Sequence, residues 1–114
     1  MATYDNLPVY KASYDLLLEI FIFSKNMDKE YKYTIGDDLK KETTAMITNI
    51  YRANCNQNKK ELIQVGRENL EVIRLYLRLI KDLKQITLIR FVKINEIVES
   101  ISKQLNFWQN AMKS

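Results

Sequence analysis

Apolar residues recur along this chain every three or four positions, in four long runs separated by short polar stretches, which is the spacing of amphipathic helices. The first run starts at Pro8, a residue suited to the first position of a helix. Val9, Leu16, Ile20, Phe23 and Met27 then share one face. Tyr10, Tyr14, Leu17 and Phe21 form a second apolar strip beside it, with Leu18 and Ile22 further round. The polar stretch NMDKEYKYTIGDD follows, ended by Gly36. A second helix carries a narrower stripe of Ile35, Leu39, Met46, Ile50 and Ala53, with Lys41, Thr48 and Arg52 on its other side. NCNQN, at 54–58, reads as a turn, and Asn58 followed by Glu61 has the form of a capping box. Thr87 is placed to cap a last helix whose seam is Phe91, Ile94, Val98, Ile101, Leu105, Trp108 and Met112.

The expected elements are helices over about 8–26, 36–55, 59–84 and 88–112, in a single domain covering 1–114. Helices of this length span roughly 30–38 Å at 1.5 Å per residue. Short connections make successive helices antiparallel, so the predicted fold is all-α, an up-down-up-down four-helix bundle.

The third helix departs from simple amphipathicity. Its segment IRLYLRLIKDLK, at 73–84, sets cations among bulky apolar residues. Projected at about 100° per residue, Lys60, Arg67, Arg74, Arg78 and Lys81 fall on one stripe. Leu62, Val65, Val72, Tyr76, Leu79 and Leu83 lie opposite and are expected to fill the core. Leu70, Ile73 and Leu77 flank the stripe on one side and Leu75 on the other. With helix one apolar almost all round, this is more apolar surface than a lone bundle buries, so a closed homo-oligomer is expected. Its interface is assigned to Tyr10, Tyr14, Leu17 and Phe21 with Leu70, Ile73 and Leu77.

Charge sharpens the picture. Residues 1–57 hold 7 Lys and Arg against 8 Asp and Glu, whereas residues 58–114 hold 11 against 6. A basic half favours polyanions or an acidic partner. The basic stripe is the candidate phosphate-holding surface, with Lys41 and Arg52 of helix two adding contacts. The competing reading pairs these cations with carboxylates such as Glu71, Asp15, Glu19 or Glu42, where exposed pairs add only about 0–1 kcal/mol each.

Catalytic chemistry finds little footing. The chain has no His, one Cys and two isolated Gly, which leaves no thiolate metal site and no Gly-rich phosphate loop. No catalytic residue, metal site or cofactor is expected. Cys55 has no internal disulfide partner, and the longest apolar runs fall short of the roughly 20 residues of a membrane span, so a cytoplasmic protein without membrane contact is expected.

Four segments, VYKASYDLLLEIF, YTIGDDLKKETTAMITNIYRAN, ENLEVIRLYLRLIKDL and SISKQLNFW, resemble in order the bacterial four helix bundle protein family. That family includes proteins of ribosomal-RNA intervening sequences and the accessory variability determinants of diversity-generating retroelements. IRLYLRLI is most similar to the retroelement branch, whose third helix carries two arginines four apart around an aromatic residue; Arg74, Tyr76 and Arg78 fit that pattern. The resemblance implies a homopentamer that binds RNA or DNA and associates with a reverse transcriptase. The alternative is an oligomeric protein-interaction scaffold of the intervening-sequence type, with no role in nucleic-acid binding.

Overall fold

The computed structural model describes residues 7–55 and 58–112, and these form four long helices. Helix α1 spans Pro8–Ser24, α2 Ile35–Cys55, α3 Lys59–Asp82 and α4 Leu88–Ala111. A single helical turn, Lys29–Lys32, sits inside the polar stretch between α1 and α2. Helix boundaries fall within two residues of expectation, and residues 56 and 57 of the expected turn lie outside the described residues.

Each helix packs on its neighbours in a ring, α1 on α2 and α4, and α3 on α2 and α4, so α1 and α3 occupy diagonal corners. Cross-helix pairs show that neighbours run antiparallel. Tyr10 meets Tyr51 while Lys40 lies over the Phe21 ring, and Arg67 meets Gln109 while Lys81 lies over Phe91. At one end the two connections clasp each other. The Asp28 backbone N–H donates to Gln85 Oε1 at 2.7 Å, and Gln85 Nε2 donates to the Asp28 carboxylate at 3.1 Å.

The core is a column of aliphatic side chains, including Leu16 and Ile20 of α1, Leu39, Met46 and Ile50 of α2, and Ile94, Val98, Ile101 and Leu105 of α4. Three hydroxyl side chains are buried, Ser13, Thr43 and Ser24, the last donating to the Phe21 carbonyl at 3.2 Å. Ser13 donates to the Val9 carbonyl at 2.7 Å and Thr43 to the Leu39 carbonyl at 2.8 Å, so none of the three leaves a polar group unsatisfied. Gly36 lies inside the first turn of α2 instead of ending the loop. A Cβ there would stand 3.3 Å from the Tyr31 carbonyl oxygen, which explains the glycine by close approach.

Caps hold the helix ends. Thr87 accepts from the Arg90 backbone N–H, as expected. Asn58 occupies the N-cap position of α3 but its side chain makes no cap bond, so the capping box is not formed. At the end of α3 the Gln85 N–H reaches the Ile80 carbonyl and the Lys84 N–H the Lys81 carbonyl, a Schellman motif. Its left-handed residue is Lys84, at φ 59°, where glycine is the usual choice.

The rotation of α3 corrects the sequence reading. The buried residues are Ile63, Gly66, Leu70, Ile73, Leu77 and Ile80, while Val65 and Leu79 are exposed and Leu62, Val72, Tyr76 and Leu83 half-buried. These six step by three and four without a charge among them, a continuous seam in which Gly66 lies against α2's Ile50. The expected core arc was centred opposite the cations. Long basic side chains do not need the far side of a helix; they lie along the core margin and extend outward.

Candidate functional site

With that rotation, α3 presents three arcs to its surroundings. The buried seam faces inward. The cations lie on the margin toward α4. The outward arc carries Val65, Leu75 and Leu79, all exposed, with every carboxylate of the helix: Glu61, Glu68, Glu71 and Asp82.

The basic stripe is therefore brought together along the α3–α4 seam, but its members differ in what they touch. Arg74 is half-buried. Its Nη1 donates to Glu99 of α4, and its Nε lies 3.2 Å from a Glu71 carboxylate oxygen without being in line to donate to it. Arg67 donates to Gln109 Oε1, and Gln109 in turn donates to Gln64 at 2.9 Å. Lys81 Nζ sits 5.2 Å from the centre of the Phe91 ring, within cation–π range. Lys60 and Arg78 are exposed and make no ion pair among the described residues. So three of the five cations fasten α3 to α4, and two are available to an outside anion.

On α2, Lys41 and Arg52 are both exposed. Arg52 borders an open groove of about 450 Å³ between α1 and α2, lined also by Tyr10, Ile47, Thr48 and Tyr51. Tyr14 stacks on Tyr10 at 6.5 Å between ring centres. Exposed Tyr14, Leu18, Phe21 and Ile22 continue this strip outward along α1.

The interface assignment needs a correction. Tyr14 and Phe21 are exposed and Tyr10 and Leu17 half-buried, so this strip is open to a second copy. Leu70, Ile73 and Leu77 are not: all three are buried in the chain's own core. They lie on the seam that packs against α2 and α4, out of reach of another subunit. The exposed apolar residues of α3 are Val65, Leu75 and Leu79 instead.

Several partners were not foreseen. Glu99 and Gln109 face the stripe only because α3 and α4 run antiparallel in a register that the sequence does not state. Glu19 does not reach the arginines of α3; it takes Arg90 at 3.4 Å and Lys93 at 2.7 Å on α4. Glu42 accepts from Asn69 at 2.6 Å, and Asp15 pairs with Lys11. Among the described residues no cluster of three His, Cys, Asp or Glu side chains could hold a metal ion, and no helix is long and apolar enough to cross a membrane.

One family's sequence model matches residues 9–112, nearly the whole bundle, and its description is bAvd-like. The chain belongs to the bAvd-like family. These are the bacterial accessory variability determinant-like four-helix bundles. No curated protein is similar enough to count as a match. The bAvd-like match covers all four helices and the whole stripe from Lys60 to Lys81, including the Arg74–Tyr76–Arg78 pattern.

Proposed function

We propose that this bAvd-like protein is a non-enzymatic accessory subunit of a retroelement reverse transcriptase, holding template RNA or cDNA by its phosphates on a homo-oligomeric, barrel-like assembly. The observation that carries the reading is the family match over residues 9–112. Catalysis belongs to the partner. The bundle supplies charge neutralisation and positioning, and with phosphate contacts from helix surfaces it shows little base preference.

The side-chain partners redraw the phosphate-holding set. Of the seven candidate cations, Arg78 and Lys60 on α3 and Lys41 and Arg52 on α2 are exposed, have no ion pair among the described residues and are not engaged in the α3–α4 seam, and they carry the contacts. Arg67, Arg74 and Lys81 add to the local potential while their geometry serves the α3–α4 seam. That seam is what the scaffold alternative predicts for the stripe, and it accounts for these three residues but not for the other four.

Self-assembly is supported by two unlike apolar strips at diagonal corners. The α1 strip, Tyr14, Leu18, Phe21 and Ile22, has Lys11, Lys25 and Lys40 about it, with Lys11 and Lys40 paired to Asp15 and Asp37; the α3 strip, Val65, Leu75 and Leu79, has Glu61, Glu68, Glu71 and Asp82. Shared apolarity matches one strip to the other, a head-to-tail contact that would close into a ring.

A titration of labelled RNA and DNA at low and physiological salt tests the reading, with the mass followed by light scattering in the same buffers. Binding that falls steeply as salt rises supports it, because phosphate contacts release counterions. An intact oligomer that binds neither polymer at low salt overturns it in favour of the scaffold.

A further inference from the structure

Among the described residues, the most exposed aliphatic cluster belongs to neither strip. Leu88, Ile89 and Val92, in the opening turn of α4, are 69%, 86% and 48% exposed. They sit together, at i, i+1 and i+4, at the bundle end where Asp28 and Gln85 clasp the two connections. The surrounding chain is strongly basic: residues 78–93 include Arg78, Lys81, Lys84, Arg90 and Lys93 against one carboxylate, Asp82. Glu19 engages Arg90 and Lys93 on the α1 side. On the α3 side, Lys81 stands over the Phe91 ring and Lys84 is held by the Schellman turn just before the cluster.

We propose that this apolar tip with its cationic collar docks a short acidic amphipathic helix of a partner protein. Leucine, isoleucine and valine neither stack on bases nor bond phosphates, so the tip is not shaped for nucleic acid. Three side chains fall far short of the roughly 800 Å² per partner of a standard interface between folded domains. They suit the narrow apolar stripe of a single helix laid across them, the stripe's acidic margins meeting Lys81 and Lys84. The docking site sits on α4, a different helix from either of the α1 and α3 strips.

The test uses the full chain and a fluorescein-labelled peptide of about 18 residues, five helical turns, with leucines on one face and glutamates on the other. A second peptide replaces every glutamate by lysine. Fluorescence anisotropy is expected to show the acidic peptide binding at least about tenfold more tightly than the basic one, a difference of roughly 1.4 kcal/mol. The doubly substituted Ile89→Ser, Val92→Ser protein is expected to lose about tenfold of that affinity or more, with helical circular dichroism, oligomeric mass and RNA binding unchanged. Because both side chains are exposed, the variant folds. Equal binding of the two peptides, binding of neither, or an unaffected variant overturns the proposal. A fall in oligomeric mass would reassign the tip to a contact between copies, and loss of phosphatidylglycerol-vesicle binding in place of peptide binding would reassign it to a lipid surface; each also overturns it.

Discussion

Arg74 of α3 donates to Glu99 of α4 across the seam between the two helices, so the most prominent arginine of the basic stripe is already engaged within its own chain. Arg78, one turn further on, has no such partner among the described residues. Arg74→Glu and Arg78→Glu are therefore not equivalent. Arg74→Glu sets three carboxylates together and should cost about 1 kcal/mol in urea unfolding, discounted for the partial exposure of the pair. Arg78→Glu should leave unfolding unchanged and weaken RNA binding. If the two variants weaken RNA binding equally with no difference in stability, the division of the stripe is wrong.

The rotation of α3 gives a second contrast. Leu70→Ala removes a fully buried side chain and should destabilise the bundle by roughly 2–5 kcal/mol, read as a lower denaturation midpoint. Leu75→Glu with Leu79→Glu alters only exposed positions. That variant should keep its helical circular dichroism while its mass by light scattering falls.

Asn69 links α2 and α3, accepting from Asn49 at 2.9 Å and donating to Glu42 at 2.6 Å. All three side chains are half-buried. Asn69→Leu keeps similar bulk but strands two polar groups, at a cost of about 1–3 kcal/mol. The expected readout is a lower urea midpoint with an unchanged slope, since the unfolding surface is the same.

Lys84 holds a left-handed conformation that costs a residue with a Cβ about 1–2 kcal/mol relative to glycine's ease there. Lys84→Gly should raise stability by roughly 0.5–1 kcal/mol, part of the relief being lost to the greater freedom of an unfolded glycine. Thermal unfolding checks it.

The helices were legible because their boundaries are written locally. Pro8 opens α1 and Thr87 caps α4, and the α4 seam from Ile94 to Leu105 is apolar at every third or fourth step. Tyr14 and Phe21 also proved open, as an outer strip requires. What failed was orientation where one helix carries apolar residues on more than one arc. On α3, sidedness depends on which arc packs against α2 and on where the carboxylates of α4 fall, and both are set by partners distant in sequence. The same holds for Arg67 and Gln109, 42 residues apart. Periodicity says that a helix has a buried side; only packing chooses between two candidates.

In the proposed assembly, the unlike strips on α1 and α3 would act as a plug and a socket. A self-complementary patch would be silenced on both members of a pair by one substitution, but here each substitution silences only one direction of growth. A chain with glutamates at positions 75 and 79 would still offer its tyrosine strip to a normal neighbour. Mixed with the unaltered protein, it would join an assembly and then stop it. Such a terminator would disrupt assemblies while itself in the minority, in proportion to the number of places each one has to fill.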